Sequence, residues 1–204
     1  MTPVEREFKW AVNSEPDFER FLSALKSVLG VLPAQKTVQI SDSYLDNSGG
    51  TLAVEKVALR IRQVDGSFEA TLKTRTRLEG GLARRKELTL PLPSAHSTDQ
   101  ALALLKEKQK WEGVKLTDLR VKFEIKNNRT LYEFCYGSAE CEAALDRYTI
   151  YAAEKELPCR EIELELKGGE EKDFMQIVSF LTQQSGLSPA KKSKVATAES
   201  MLKK

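Results

Sequence analysis

The chain has 204 residues, 41% of them hydrophobic and 30% charged, with 32 lysines and arginines against 30 acids. That is enough apolar material for a substantial core, while a net charge of +2 is too small for a whole-molecule field that would draw the chain to nucleic acid or a membrane surface. Three scattered cysteines (Cys135, Cys141, Cys159) and one histidine, His96, argue against a disulfide framework, a histidine-built zinc site and a histidine-based catalytic dyad.

Val4–Trp10 alternates, with Glu5, Glu7 and Lys9 on one face and Val4, Phe8 and Trp10 on the other, Arg6 being the exception; the pattern predicts a strand. Asn13–Asp17 reads as a helix start with a capping residue, Pro16 and early acids, followed at helical spacing by Phe18, Phe21, Leu22, Leu25, Val28 and Leu29 up to Gly30. Thr37–Asp46 reads as a strand ending in the turn Asn47-Ser48-Gly49-Gly50. Thr51–Val64 reads as the next strand, with Lys56, Ala58, Arg60 and Arg62 on one face and Val57, Leu59 and Ile61 on the other. Asp65-Gly66 turns the chain into Phe68–Arg75, where Thr71, Lys73 and Arg75 share a face. After a turn at Gly80-Gly81, Leu82–Leu92 places Arg85, Glu87 and Thr89 together.

Ser97-Thr98-Asp99 opens a second helix carrying Leu102, Leu105 and Trp111, which Gly113 stops. Three strands follow at Arg120–Lys126, Arg129–Tyr136 and Ala139–Tyr151, the last with Glu140, Glu142, Asp146 and Tyr148 on one face. In Arg160–Lys167 the residues Glu161, Glu163, Glu165 and Lys167 alternate with Ile162, Leu164 and Leu166. A helix over Glu170–Gln184, a basic connection Ser188–Lys194 and a C-terminal helix complete the chain. The reading is one domain over residues 1–204 with about eight or nine antiparallel strands and three or four helices.

Charge on one face of a single strand is what a solvated sheet face looks like. Here the charges are sorted: the first and last clear strands are acidic, and those around Arg60, Lys73 and Arg85 are basic. If the sheet curls into a barrel with its apolar side outward under the helices, the charged side becomes a lumen. So many enclosed charges are tolerable only when they pair with each other or with a ligand. Carboxylates suit a hard cation such as Mg²⁺ or Mn²⁺, and Arg and Lys suit a polyphosphate. The expected fold is α+β, a closed eight-stranded antiparallel β-barrel, or tunnel, with helices packed outside.

The same residues carry a family resemblance. Glu5-Arg6-Glu7-Phe8-Lys9 resembles the ExExK signature of the CYTH proteins, the triphosphate tunnel metalloenzymes. Further on, Asp42-Ser43-Tyr44-Leu45-Asp46, Leu59-Arg60-Ile61-Arg62, Thr71-Leu72-Lys73 and the Arg85/Glu87 pair resemble successive family strands. So do Arg129-Thr130-Leu131-Tyr132, Leu145-Asp146, Glu161–Glu165 and Ser193-Lys194, in family order. The resemblance implies Glu5, Glu7, Glu163 and Glu165 as metal ligands and Lys9, Arg60, Arg62, Lys73, Arg85, Arg129 and Lys194 as phosphate ligands. It implies that Glu87 and Asp146 orient basic residues or serve a second metal, and that Tyr44 and Asp46 lie near one tunnel mouth. Which of Lys122, Lys126 and Arg129 points inward stays open.

Phosphoryl transfer needs charge neutralisation and in-line geometry more than a protein nucleophile, so the missing catalytic His, Cys or GxSxG motif is no objection. Neither GxxxxGK[ST] nor GxGxxG occurs, which leaves a P-loop or Rossmann site without support. The expected function is hydrolysis of a triphosphate, inorganic tripolyphosphate first. A CYTH-type adenylate cyclase acting on ATP, a thiamine triphosphatase and a non-catalytic polyphosphate-binding module are the alternatives. No nucleic-acid or membrane partner is expected, a homodimer is left open, and the absence of a signal-peptide pattern or of an apolar run near ~20 residues points to the cytoplasm.

Overall fold

The computed structural model describes residues 4–74, 76–79 and 82–202. Arg75 and the turn expected at Gly80-Gly81 lie outside the described residues. In chain order the elements are β1 (Val4–Ala11), α1 (Glu15–Leu29), β2 (Gln35–Asn47), α2 (Thr51–Glu55), β3 (Ala58–Val64), β4 (Ser67–Lys73), β5 (Arg77–Glu79) and β6 (Leu82–Pro91). There follow α3 (Thr98–Glu107), β7 (Lys110–Trp111), β8 (Val114–Lys115), β9 (Leu119–Tyr136), β10 (Ala139–Ala152), β11 (Lys155–Gly168), α4 (Glu171–Ser185) and α5 (Lys194–Leu202).

Eight strands close a barrel in the order β1-β11-β10-β9-β2-β3-β4-β6, and β6 returns to β1; β5 adds to β6 outside the closed ring. Each pairing is antiparallel. β1 closes the ring by splitting its partners: Val4–Glu7 pair with β6, and Glu7–Ala11 pair with β11. Register then decides which side chains share the lumen, because a one-residue slip would turn each strand inside out. Glu7 stands opposite Glu165, Lys9 opposite Glu163, Glu5 opposite Arg85, and Asp146 opposite Arg129.

The apolar faces point outward, under the helices. Phe8, Trp10, Leu145, Ile162 and Leu164 pack against Phe18, Phe21 and Leu25 of α1 and Phe174, Ile177 and Leu181 of α4. Trp10 is fully buried, and its indole N–H donates to Thr182 Oγ1 at 2.8 Å. On the other flank Leu59, Ile61, Ala70 and Leu72 meet Ala101 and Leu105 of α3. The outward Arg6, odd in an apolar face, lies 3.9 Å from Glu171 at the start of α4. α1 begins as its sequence predicts: the Asp17 carboxylate accepts the backbone N–H groups of Asn13 and Ser14, and Gly30 closes the helix at φ 79.

Four elements differ from expectation. The run from Thr51 opens as the short helix α2 rather than a strand, because the Asp46 carboxylate accepts the N–H groups of Leu52 (3.0 Å) and Ala53 (3.3 Å). Lys56 turns left-handed at φ 58, and the strand begins only at Ala58. The helix from Ser97 stops at Glu107, and Trp111 sits in a hairpin instead, where Glu112 and Gly113 both take positive φ between Trp111 and Val114. The two strands expected on either side of Asn127-Asn128 are one continuous strand, β9, held on both edges by β2 and β10. β11 starts earlier, at Lys155, and takes in Pro158; β1 pairs only from Glu161 onward, so the proline has β10 alone as neighbour.

Candidate active site in the barrel lumen

Inside the barrel lies a cavity of about 840 Å³. Glu5, Glu7 and Lys9 reach it from β1, Glu163 and Glu165 from β11, Arg60 and Arg62 from β3, Lys73 from β4, and Arg85 and Glu87 from β6. Arg129 of β9, Tyr44 of β2 and Lys194 at the start of α5 complete the list of expected residues on its wall. Because β9 is unbroken, Ile125, Asn127 and Arg129 share the inner face, and the even-numbered residues cannot. Arg129 therefore faces the lumen; Lys126 is exposed, its ammonium 5.3 Å from the Tyr151 ring centroid, and Lys122 borders a separate outer pocket.

Two ionic groupings run along the lumen. In the first, the Glu5 carboxylate accepts from Lys73 Nζ at 3.2 Å and from Arg85 Nε, while Arg85 Nη2 lies 2.7 Å from Glu7 Oε1. Glu87 pairs with Lys73 at 2.5 Å and approaches Arg60 Nη2 at 3.7 Å. Asp42 accepts from Arg62 Nε (2.7 Å) and Nη2 (2.8 Å) and from Arg60 Nη1 (3.2 Å). In the second, Arg129 donates to both oxygens of Asp146 (2.7 and 2.6 Å) and to Glu163 Oε2 (2.6 Å). Lys194 Nζ reaches Asp146 at 2.9 Å, Glu163 at 2.6 Å and also Glu161, and Lys9 bonds Glu163 and lies 3.1 Å from Glu7. Asp146, Glu161 and Glu163 bring one carboxylate oxygen each to within 4.8 Å of one another.

The titration shifts follow from burial set against these partners. Burial alone would raise the Glu5 carboxyl; Lys73 and Arg85 outweigh it and hold Glu5 well below the usual range. Burial likewise opposes the charged Asp42, and Arg60 and Arg62 bring its pKa to about 2. Burial and the neighbouring Arg60 and Arg85 lower the Lys73 ammonium to about 8, against the pull of Glu5 and Glu87. Two adjacent glutamates part company: burial raises Glu161, whereas Lys194, Lys9 and Arg129 overcome burial to lower Glu163. Burial also raises Glu165.

The carboxylates fit a divalent cation. They are all-oxygen donors, as hard cations require. Glu7 and Glu165 stand directly opposite across β1 and β11, a like-charge pairing that a cation would relieve. Glu7 is buried, and its Oε1 accepts no hydrogen bond although Arg85 Nη2 lies 2.7 Å away. The Asp146, Glu161 and Glu163 cluster is different, since Lys9, Lys194 and Arg129 already neutralise it.

The two ends of the lumen are unlike. At one end the inward residues Tyr44, Phe123, Ile125, Tyr148 and Ile150 form an apolar cluster with Val195, Ala198, Met201 and Leu202 of α5. Tyr44 and Phe123 stack with ring centroids 4.7 Å apart, and Lys194 Nζ stands 4.9 Å from the Tyr148 ring centroid. Toward the other end the lining includes Val4, 49% exposed, and Lys167, whose ammonium lies 3.3 Å from Glu165 and 3.7 Å from Glu142.

Two expected site residues do not line the cavity: Asp146 is fully buried and pairs with the lining residues Arg129 and Lys194, and Asp46 lies outside the lumen. Asp46 is turned away after a register shift between Tyr44 and Leu45, caps α2, and borders the outer pocket. Conversely, Asp42, Glu142, Glu161 and Lys167 belong to the ionic network without having been assigned a role. Strand alternation is the signal for three of them: Glu142 has the parity of Asp146, and Glu161 and Lys167 that of Glu163. Among the described residues, no helix is long and apolar enough to cross a membrane.

A family model described as the CYTH domain matches residues 4–198. An inorganic triphosphatase of Haemophilus influenzae is 34% identical over 142 residues, which are 70% of this chain and 40% of that protein. The match thus spans well under half the length of the curated relative. Among solved structures, HpAC1 from Hippeastrum, an adenylyl cyclase candidate described with a dominant triphosphatase activity, superposes with a TM-score of 0.70. The match has 19% identity and covers 97% of this chain and 96% of that one. A Bacillus halodurans protein described as an adenylate cyclase candidate gives a TM-score of 0.62 at 21% identity, covering 96% and 97%. At these identities the structural likeness concerns the fold.

Proposed function

The chain belongs to the CYTH domain family, and on that premise we propose that it is a divalent-metal-dependent hydrolase of triphosphates, with inorganic tripolyphosphate as first substrate. One observation carries the reading: arginines and lysines from β3, β4, β6, β9 and α5 share one cavity inside the barrel with the carboxylates of β1 and β11. The matched region of the inorganic triphosphatase supports the choice of substrate. So does the apolar end of the lumen, where Tyr44 and Phe123 stack on each other and each is only 6% exposed.

In this reading Arg60, Arg62, Lys73, Arg85, Arg129, Lys194 and Lys9 take the phosphate oxygens. Each already holds a carboxylate in the same cavity, so a bound polyphosphate exchanges one anionic partner for another and the cations need little reorganisation. Glu5, Glu7, Glu163 and Glu165 would hold Mg²⁺ or Mn²⁺. When bound, such an ion neutralises developing charge on the phosphate oxygens and lowers the pKa of water. Asp42 and Glu87 orient Arg60, Arg62 and Lys73, and Asp146 orients Arg129 and Lys194. The partly buried setting of these side chains strengthens each of the charge interactions.

The test is incubation with Mg²⁺ or Mn²⁺ and, separately, tripolyphosphate, ATP and thiamine triphosphate, with orthophosphate, pyrophosphate and cyclic AMP measured. Orthophosphate released fastest from tripolyphosphate is the expected result. Cyclic AMP with pyrophosphate from ATP would replace the hydrolase by a cyclase, and tight binding without turnover would leave a polyphosphate-binding module.

A further inference from the structure

We propose that the tunnel is one-ended toward phosphate, so that a linear polyphosphate enters only by a free terminus and the protein acts on chain ends, never on chain interiors. The inference rests on the triphosphatase reading of the same cavity and specifies how its substrate is presented.

The argument starts from the inward face of the long strands. Along β10 the inner residues run from Glu142 through Asp146 to Tyr148 and Ile150, passing from charge to apolar surface within one strand. β9 repeats the change between Arg129 and Ile125. The apolar segment is filled: Ile150 and Ala198 are fully buried, and Tyr148 retains only 7% exposure. α5 supplies the far side of this plug and carries Lys194 at the charged side of the boundary.

A phosphate chain moving past Lys194 would have to shed its water against aromatic and aliphatic carbon, with only the Tyr44 and Tyr148 hydroxyls as donors in its place. A second cavity, of about 330 Å³, lies beyond Tyr44, Ala58 and Val195, but its lining is mostly apolar (Leu45, Leu52, Leu59, Phe123), with one lysine, Lys122, against two acids, Asp46 and Glu199. It therefore offers no continuation for an anion. At the opposite end the lining is charged and half exposed at Lys167. A polyanion can be received there, its terminal phosphates advanced to the cations and the remainder left outside.

The experiment counts proteins per chain. The full chain is mixed with linear polyphosphates of several defined lengths in EDTA, so that binding is read without turnover, and stoichiometry is measured by analytical ultracentrifugation. The expected result is saturation at two proteins per chain, one per terminus, at every length, with displacement by excess tripolyphosphate. Stoichiometry that grows with chain length would overturn the proposal. So would failure of the long chains to bind while tripolyphosphate does, or binding that tripolyphosphate does not displace. With Mg²⁺ added, the chains should shorten from their ends, and early fragments of intermediate length would contradict it. Absence of tripolyphosphate hydrolysis in the same preparation would refute the hydrolase reading alone, since the binding stoichiometry still decides this one.

Discussion

Asp42 and Arg62 face each other across β2 and β3 and are joined by two parallel hydrogen bonds, Arg62 Nε to Oδ1 at 2.7 Å and Nη2 to Oδ2 at 2.8 Å. The same carboxylate accepts from Arg60 at 3.2 Å, so one buried acid fixes two guanidinium groups on the lumen wall. Such a planar fork adds directional constraint as well as attraction.

Asp42→Asn keeps the shape but loses the charge and one acceptor. We expect KM for tripolyphosphate to rise about tenfold, a loss of about 1.4 kcal/mol in binding, with a smaller change in kcat. Steady-state kinetics on a variant shown by circular dichroism to be folded will decide. A fall in kcat at unchanged KM would mean that Asp42 does something other than position the two arginines.

Asp42 also predicts an acid-side stability effect. Its folded pKa of about 2 lies below the value near 3.9 of an unfolded aspartate, so its ion pairs contribute full stability above about pH 4. That contribution disappears as pH falls from about 4 toward 2, because the folded state must then take up the proton that the unfolded state already holds. The difference in thermal midpoint between wild type and Asp42→Asn should therefore narrow over that interval. A gap that stays constant from pH 6 to pH 2 would remove the titration from the account.

The carboxylates of β1 and β11 should separate chemistry from folding to different degrees. Glu7→Gln leaves Arg85 paired with Glu5, so the fold should survive while turnover drops on the order of 10²-fold or more. Glu163→Ala removes the carboxylate that Lys9, Arg129 and Lys194 share, leaving this buried cluster one negative charge short although Glu7, Asp146 and Glu161 remain as partners, and should cost on the order of 3 kcal/mol of stability as well as activity. Urea titrations of the two variants beside the wild type test the contrast. Equal stability losses would show that the network around Glu163 is no more than a loose surface cluster.

Chelation makes a related prediction. EDTA should abolish turnover yet leave the thermal midpoint nearly unchanged, because lysines and arginines, not a metal, already balance the lumen acids. Tripolyphosphate with Mg²⁺ at ~100 times Kd should then add about 2.7 kcal/mol of apparent stability. Unfolding on chelation alone would assign the metal a structural role.

Gly169 tests the fold itself. It follows β11 at φ +79, and an added Cβ would overlap the Ser138 carbonyl oxygen in the turn between β9 and β10. Gly169→Ala should destabilise by about 2 kcal/mol or more, with the kinetics of the folded fraction unchanged. A fully stable variant would mean that the turn relaxes freely.

The alternation in Val4–Trp10 and Arg160–Lys167 by itself marked these strands and their charged faces, because side-chain parity is a local property of extended backbone; it left the inside-out barrel as one reading beside an ordinary solvated sheet face, and strand pairing decided between them. The motif order carried most of the lumen residues with it. What alternation cannot contain is registry between distant strands, and that decided the rest. Only the pairing of β9 with both β2 and β10 put Arg129 inside and Lys126 out. A register shift beside Tyr44 turned Asp46 from the lumen to the cap of α2. Likewise, no local pattern says that the apolar face of α5 seals one end, or that Asp42 serves two arginines at once. Those are contacts between segments far apart in the chain, settled by which surfaces could be buried together and which charges then had to be paired.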